Sequence, residues 1–224
     1  MQGWPEPLRR QVQTLVTQFL RGTGEAWIGV TGIDCFGVGQ RFPGTMRLGG
    51  RMEALGSRPP SRAFVWVQGT EPELWVDPRD SGYRDLFDEF ARGWLNLSGR
   101  PTGTAWNIDH VFPKAAGRLN GLSHVRALAI GAEGNQAAGR TLERAMSDRA
   151  GDAPRRKRIR HATWMTIGKA AGFTGWESLP DSEDPVANAP VVAALFAHLV
   201  GLGITVPHAG LERSLTARTL TTHR

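Results

Sequence analysis

Trp106-Asn107-Ile108-Asp109-His110-Val111-Phe112-Pro113-Lys114 is the stretch from which both fold and chemistry of this 224-residue chain are read. It is followed by Glu133-Gly134-Asn135-Gln136-Ala137-Ala138-Gly139-Arg140. The first stretch reads as a short strand over 108–112, with a loop over 114–121 behind it. His124-Val125-Arg126-Ala127-Leu128-Ala129-Ile130 reads as a second strand. A helix is expected from about 136 to 150, with Leu142 and Met146 one turn apart on its buried side and Arg140, Arg144 and Arg149 outside. The order is strand, loop, strand, helix. Pro113 has no N–H for a ladder, so the first strand should break off there. Because neighbouring strand residues point to opposite faces, Asp109 and His110 meet at one site only where the strand ends or bulges.

Working outward toward the N-terminus, Leu8, Val12, Leu15, Val16, Phe19 and Leu20 recur at helical spacing, and Gly22 and Gly24 stop the run. Residues 26–35 turn to strand-forming types, and 36–62 are rich in Gly, Pro and Arg, as loops around short strands are. Residues 63–67 and 73–76 flank a turn and predict a hairpin. Tyr83, Leu86, Phe87, Phe90, Trp94 and Leu95 then make a helical apolar stripe. Toward the C-terminus come the basic run Arg155-Arg156-Lys157-Arg158-Ile159-Arg160, a helix over 163–171 and an acidic, Pro-bearing linker over 178–190. A last apolar helix built on Val191, Val192, Leu195, Phe196, Leu199 and Val200 follows. The expected class is α+β: a strand-loop-strand-helix unit embedded among additional helices and a small antiparallel sheet. The expected division is an N-terminal α+β region over 1–104, a core over 105–150 and a helical extension with the basic run over 151–224.

With 27 Lys and Arg against 21 Asp and Glu, the formal charge of +6 suits a polyanionic partner, nucleic acid first among them. One cysteine, Cys35, excludes an internal disulfide framework and a zinc site built on Cys pairs. It reads as a small buried apolar residue. No stretch reaches the ~18 apolar residues of a membrane span. Pro5, Glu6, Pro7, Arg9 and Arg10 do not form a secretory signal. The expected setting is cytoplasmic, of the producing cell or of a target cell, with no membrane partner.

Hydrolysis of a phosphodiester needs an activated water, a cation on the phosphate oxygens and stabilisation of the departing oxygen. Asp109 is a hard oxygen ligand suited to Mg²⁺ or Mn²⁺, and Asn135 offers a neutral amide oxygen beside it. His110 carries the imidazole that can accept the proton of the attacking water.

These residues resemble the HNH, or ββα-metal, endonucleases over about 106–146. The resemblance implies Asp109 as metal ligand, His110 as general base and Asn135 as the last ligand. The family's middle position, an Asn that braces the loop and orients the base, falls on His124, with Asn120 as the other occupant. Where the family often carries a Cys-x-x-Cys zinc pair, this chain has none and sits with the cysteine-free type. A divalent ion is implied as cofactor, Mg²⁺ or Mn²⁺ first and Zn²⁺ or Ni²⁺ after them.

The expected function is a metal-dependent endonuclease acting on DNA with little sequence preference. Its setting would be a bacterial toxin paired with an immunity protein and delivery machinery, or a self-standing defence nuclease. Lys114, Arg140, Arg155, Arg156, Lys157, Arg158 and Arg160 are the candidate phosphate contacts. Against this stands a non-catalytic nucleic-acid-binding protein in which Asp109, His110 and Asn135 are structural and Asn135 caps a helix. A hydrolase using Cys35 as nucleophile is a third reading, with no Cys/His signature around it. Trp27, Trp66, Trp75 and Trp94 read as core anchors rather than a base-stacking platform.

Overall fold

A computed structural model of the chain describes residues 3–21, 26–37, 49–100, 105–140, 158–178 and 185–204. It is a mixed α+β structure built on one curled antiparallel sheet. The strands are β1 (Trp27–Val30), β2 (Gly50–Ala54), β3 (Ala63–Gln68), β4 (Glu71–Val76), β5 (Trp106–His110), β6 (His124–Gly131) and β7 (Ile159–His161). Their spatial order is β2-β3-β4-β6-β1-β7, with β5 also paired to β6. The helices are α1 (Glu6–Leu20), α2 (Tyr83–Trp94), α3 (Lys114–Leu119), α4 (Ala132–Ala138), α5 (Trp164–Ala170) and α6 (Pro185–Gly201). All three segments distinguished in the sequence contribute strands to this one sheet.

Strand β6 organises the sheet. On one edge it pairs with β4, Leu74 opposite Ala127 and Val76 opposite Val125. On the other edge it is shared, pairing first with β1 at Val30–His124 and Gly29–Val125, then with β5 at His110–Ala127 through Trp106–Gly131. The chain ending β5 must therefore turn away where β1 begins. The Val111 N–H still donates to the Arg126 carbonyl at 2.8 Å, and Pro113 then closes the strand. The β3–β4 hairpin turns on Gly69-Thr70, with Gly69 at φ +62°, the conformation a tight two-residue turn requires at its first position.

Several boundaries differ from the sequence reading for identifiable reasons. The loop expected over 114–121 contains α3: Pro113 presets its start, Ala115, Ala116 and Leu119 favour it, and Asn120 and Gly121 end it, Gly121 at φ +67°. The helix expected from 136 begins at Ala132, directly after β6, so Asn135 lies inside its first turns and Gly131 occupies the cap position. Residues 141–150, including Leu142, Met146, Arg144 and Arg149, lie outside the described residues. The strand expected over 26–35 stops at Val30 and gives way to a 3₁₀ turn, Ile33–Phe36. Part of the expected linker over 178–190 is helix, because α6 starts at Pro185, where a missing N–H is harmless.

Most of the apolar side chains form one core between the sheet and helices α1, α2, α5 and α6. A second, aromatic cluster joins Trp27, Phe64, Trp66 and Trp75 to Phe36 of the 3₁₀ turn. Phe36 lies 4.9 Å from both Trp66 and Trp75, so these tryptophans are indeed core anchors. Cys35 is buried beside them, and burial together with the Asp34 charge pushes its thiol up, the opposite of what a nucleophile requires.

One buried polar group set crosses the core. Arg126 of β6 lies 3.3 Å from Glu73 of β4 and donates to Gln18 Oε1 of α1 at 2.9 Å. Gln18 Nε2 donates to Glu73 Oε1 at 2.9 Å and Trp75 Nε1 to Glu73 Oε2 at 3.2 Å. Removing one member of such a pair strands the other charge away from water. Glu73→Leu is expected to destabilise the fold by about 3–5 kcal/mol, measured by denaturant unfolding; a loss below about 1 kcal/mol would show that Arg126 finds other compensation.

Candidate metal and hydrolytic centre

The last two residues of β5 meet different helices. The Asp109 carboxylate faces α5, where Lys169 Nζ lies 3.3 Å from its Oδ2. The His110 ring lies against Tyr83 at the start of α2, with ring centroids 4.4 Å apart. The alternation of a regular strand thus separates the two side chains, yet at the strand end their nearest atoms, Asp109 Oδ1 and His110 Nδ1, are 3.7 Å apart. The His110 backbone N–H donates to Asp109 Oδ1 at 2.8 Å, fixing the carboxylate over its own strand end. Asp109 remains 24% exposed, whereas the His110 side chain is 1% exposed.

Burial works to raise the Asp109 carboxyl, but His110 and the Lys169 ammonium outweigh it and hold the group below the usual carboxylate range. Asp109 is therefore an anion throughout the neutral range. The stability this contributes is present above the unfolded carboxyl's ordinary value of 3.8 and is lost as pH falls below it. Lys169 itself is 4% exposed and also donates to the His110 carbonyl at 2.9 Å. One ammonium thus ties both motif residues to α5.

Asn135 stands on α4, which packs on β6 and on β5 and α5, the two elements that carry Asp109 and Lys169. The contact between α4 and the end of α5 is backbone to backbone: a Cβ on Gly134 would fall 2.4 Å from the Gly172 carbonyl carbon. Asn135 Oδ1 is buried with no hydrogen-bond partner, and so are both ring nitrogens of His110. Asp109 and Asn135 are hard oxygen donors of the kind Mg²⁺ and Mn²⁺ take, and the unpaired amide oxygen fits such a role. Among the described residues no three His, Cys, Asp or Glu side chains gather as a metal cage.

His124 begins β6, paired with Val30. Its Nδ1 lies 2.9 Å from Ser123 Oγ, its Nε2 lies 2.9 Å from the Pro60 carbonyl, and its ring meets Phe64 edge-on. Both nitrogens are thereby engaged away from Asp109. Asn120, the other occupant considered for the bracing role, does hold the connection between β5 and β6: its Nδ2 donates to the Ala116 carbonyl at 2.7 Å, and its Oδ1 accepts from Arg160.

The cations named from sequence are spread out. Lys114 Nζ lies 5.6 Å from the centre of the Tyr83 ring, and the guanidinium of the exposed Arg84 lies 4.9 Å from that centre. Arg140 pairs with Glu177 at 2.6 Å, and Arg158 with Asp34. Arg160 reaches Asn120 and lies 5.9 Å from the Phe112 ring, where burial lowers its guanidinium. Arg155, Arg156 and Lys157 lie outside the described residues. Two residues at the centre were not singled out from sequence: Tyr83, which reads as one more member of an apolar stripe, and Lys169. The available signal for Lys169 was a lone charge within the otherwise apolar run Trp164-Met165-Thr166-Ile167-Gly168-Lys169-Ala170-Ala171.

Two substitutions test this geometry. Gly134→Ala should cost about 1–3 kcal/mol of stability through the clash with Gly172. Gly93→Ala, a helical position with nothing near the added methyl, should instead gain about 0.5–1 kcal/mol; equal effects on unfolding midpoints would contradict the close approach. For His124, burial pushes the ring down to about 4 from an ordinary 6.5. The unfolded chain then binds the extra proton between those values, so stability is intact above 6.5 and falls as pH drops toward 4. The loss should be about 3 kcal/mol larger in the native protein than in His124→Gln, compared by urea unfolding at pH 7 and pH 4. Comparison with protein-family models, with curated proteins and with solved structures yields no match for this chain.

Proposed function

We propose that the chain is a metal-dependent endonuclease of the ββα-metal type, cleaving phosphodiester bonds of DNA with little sequence preference. The observation that carries the reading is the coincidence of unpaired buried atoms with the motif. Buried polar atoms in folded proteins are almost always hydrogen-bonded. Yet His110 Nε2 and Asn135 Oδ1 have no hydrogen bond and His110 Nδ1 has only the Asp109 carboxylate, 3.7 Å away, and these atoms belong to two of the three residues expected to do the chemistry. The connection between β5 and β6, followed at once by α4, has the strand-strand-helix order that the type requires, with α3 inserted in the connection.

In this reading Asp109 and Asn135 hold the divalent ion, which supplies Lewis-acid charge to the scissile phosphate. His110 would accept the proton of the attacking water at a ring nitrogen once that nitrogen, buried in this structure, is opened to the site. The ion pairing around Asp109 keeps it ionised. Asn120, held by Ala116 and Arg160, braces the β5–β6 connection. In this reading Lys114 and Arg84, whose cationic groups both lie against Tyr83, hold the backbone of the strand being cut without reading its bases. A toxin paired with an immunity protein is the biological setting we favour.

The competing reading, nucleic-acid binding without catalysis, is favoured by one observation: Lys169 already satisfies the Asp109 carboxylate from within. Nicking of supercoiled plasmid separates the two. The native protein should nick with Mg²⁺ and stop with EDTA. His110→Ala should lose about 10²–10⁴-fold in rate, and Asp109→Ala and Asn135→Ala should be comparably impaired while retaining plasmid binding in gel shifts. Unchanged nicking in Asp109→Ala and His110→Ala, or no nicking by the native protein with any of Mg²⁺, Mn²⁺, Zn²⁺ or Ni²⁺, would end the reading.

A further inference from the structure

We infer that Lys169 is a built-in counter-cation at the candidate centre, which keeps divalent-ion binding at Asp109 weak until a nucleic-acid phosphate is present. The inference rests on the endonuclease reading above. Lys169 comes from α5, 59 residues beyond His110 in the chain, and its ammonium is buried against both motif residues, 3.3 Å from Asp109 Oδ2 and 2.9 Å from the His110 carbonyl. A buried ammonium persists only where its charge is met, and here the charge that meets it is the one that a metal would need.

The charges then decide the order of binding. Asp109 carries one negative charge, Asn135 none and Lys169 one positive, so the named donors and their neighbour are together neutral. A divalent ion approaching Asp109 meets a buried ammonium 3.3 Å from Oδ2, whose repulsion is screened little from the lysine's side. A phosphodiester brings the missing negative charge and lowers the repulsion for metal and lysine alike. Lys169 touches no reacting atom in this scheme; it is a positioning residue that also couples metal binding to substrate binding.

Mn²⁺ binding to the full chain, followed by electron paramagnetic resonance or calorimetry with and without a phosphorothioate duplex oligonucleotide, tests this. The native protein should bind Mn²⁺ about tenfold or more tightly when the oligonucleotide is present. Lys169→Met should bind Mn²⁺ about tenfold or more tightly than the native protein in the absence of oligonucleotide, with the coupling reduced. Lys169→Arg, which keeps the charge, should restore weak binding. Equal Mn²⁺ affinity of the native protein with and without oligonucleotide overturns the inference, and this measurement decides even if Lys169→Met fails to fold. A folded Lys169→Met with native Mn²⁺ affinity overturns it too. Plasmid nicking together with uncoupled Mn²⁺ binding removes this inference alone, whereas neither nicking nor Mn²⁺ binding in the native protein removes the endonuclease reading with it.

Discussion

The hydrogen bonds along both edges of β6 hold the rest of the molecule in place. One edge is taken by β4, and the other is divided between β1 and β5. Because a strand has two edges only, the division forces β5 to stop where β1 starts, and it stops at Asp109 and His110. The end of a strand is the place where neighbouring side chains are least bound to opposite faces. Placing the motif there lets a carboxylate and an imidazole that lean on different helices come within 3.7 Å of each other.

Burying β6 on both faces brings Arg126 into the interior, where its charge has to be met. Glu73 from β4 and Gln18 from α1 meet it, and this ties the N-terminal helix to the central strands by polar contacts as well as apolar ones. The same logic recurs at the strand end, where the buried Lys169 of α5 is met by the partly exposed Asp109. Both pairs join elements far apart in the chain. Each is costly to break, because what remains is a lone charge in a medium that solvates it poorly.

The close packing of α4 on α5 sets how far apart the candidate groups stand. Gly134 and Gly172 allow the two backbones to touch, and Asn135 follows Gly134 directly, while Lys169 precedes Gly172 by one helical turn. Glycine at both contact points therefore acts at a distance, on the placement of an amide oxygen and an ammonium. His124 shows the contrasting case: a histidine beside the motif whose two nitrogens are both engaged by Ser123 and Pro60, buried and kept neutral as part of the wall.

The sequence by itself determined the type of most elements, because apolar spacing reports which face of a local segment is buried. The stripes of α1 and α2, the hairpin turning on Gly69 and the β6 strand were legible in that way, whereas Asp109, His110 and Asn135 were legible only as a motif. Helix α3 and the early start of α4 were not, since short helices between strands carry too few turns for a periodic pattern and depend on where the flanking strands end. Only the tertiary structure decided that β1 and β5 share one edge of β6, that Asn120 is gripped by Arg160, that His110 lies under Tyr83 and that Lys169 reaches Asp109. Each of these joins residues tens of positions apart. Local periodicity says that a residue is buried; which partner meets it is set by strand register and helix packing across the whole chain.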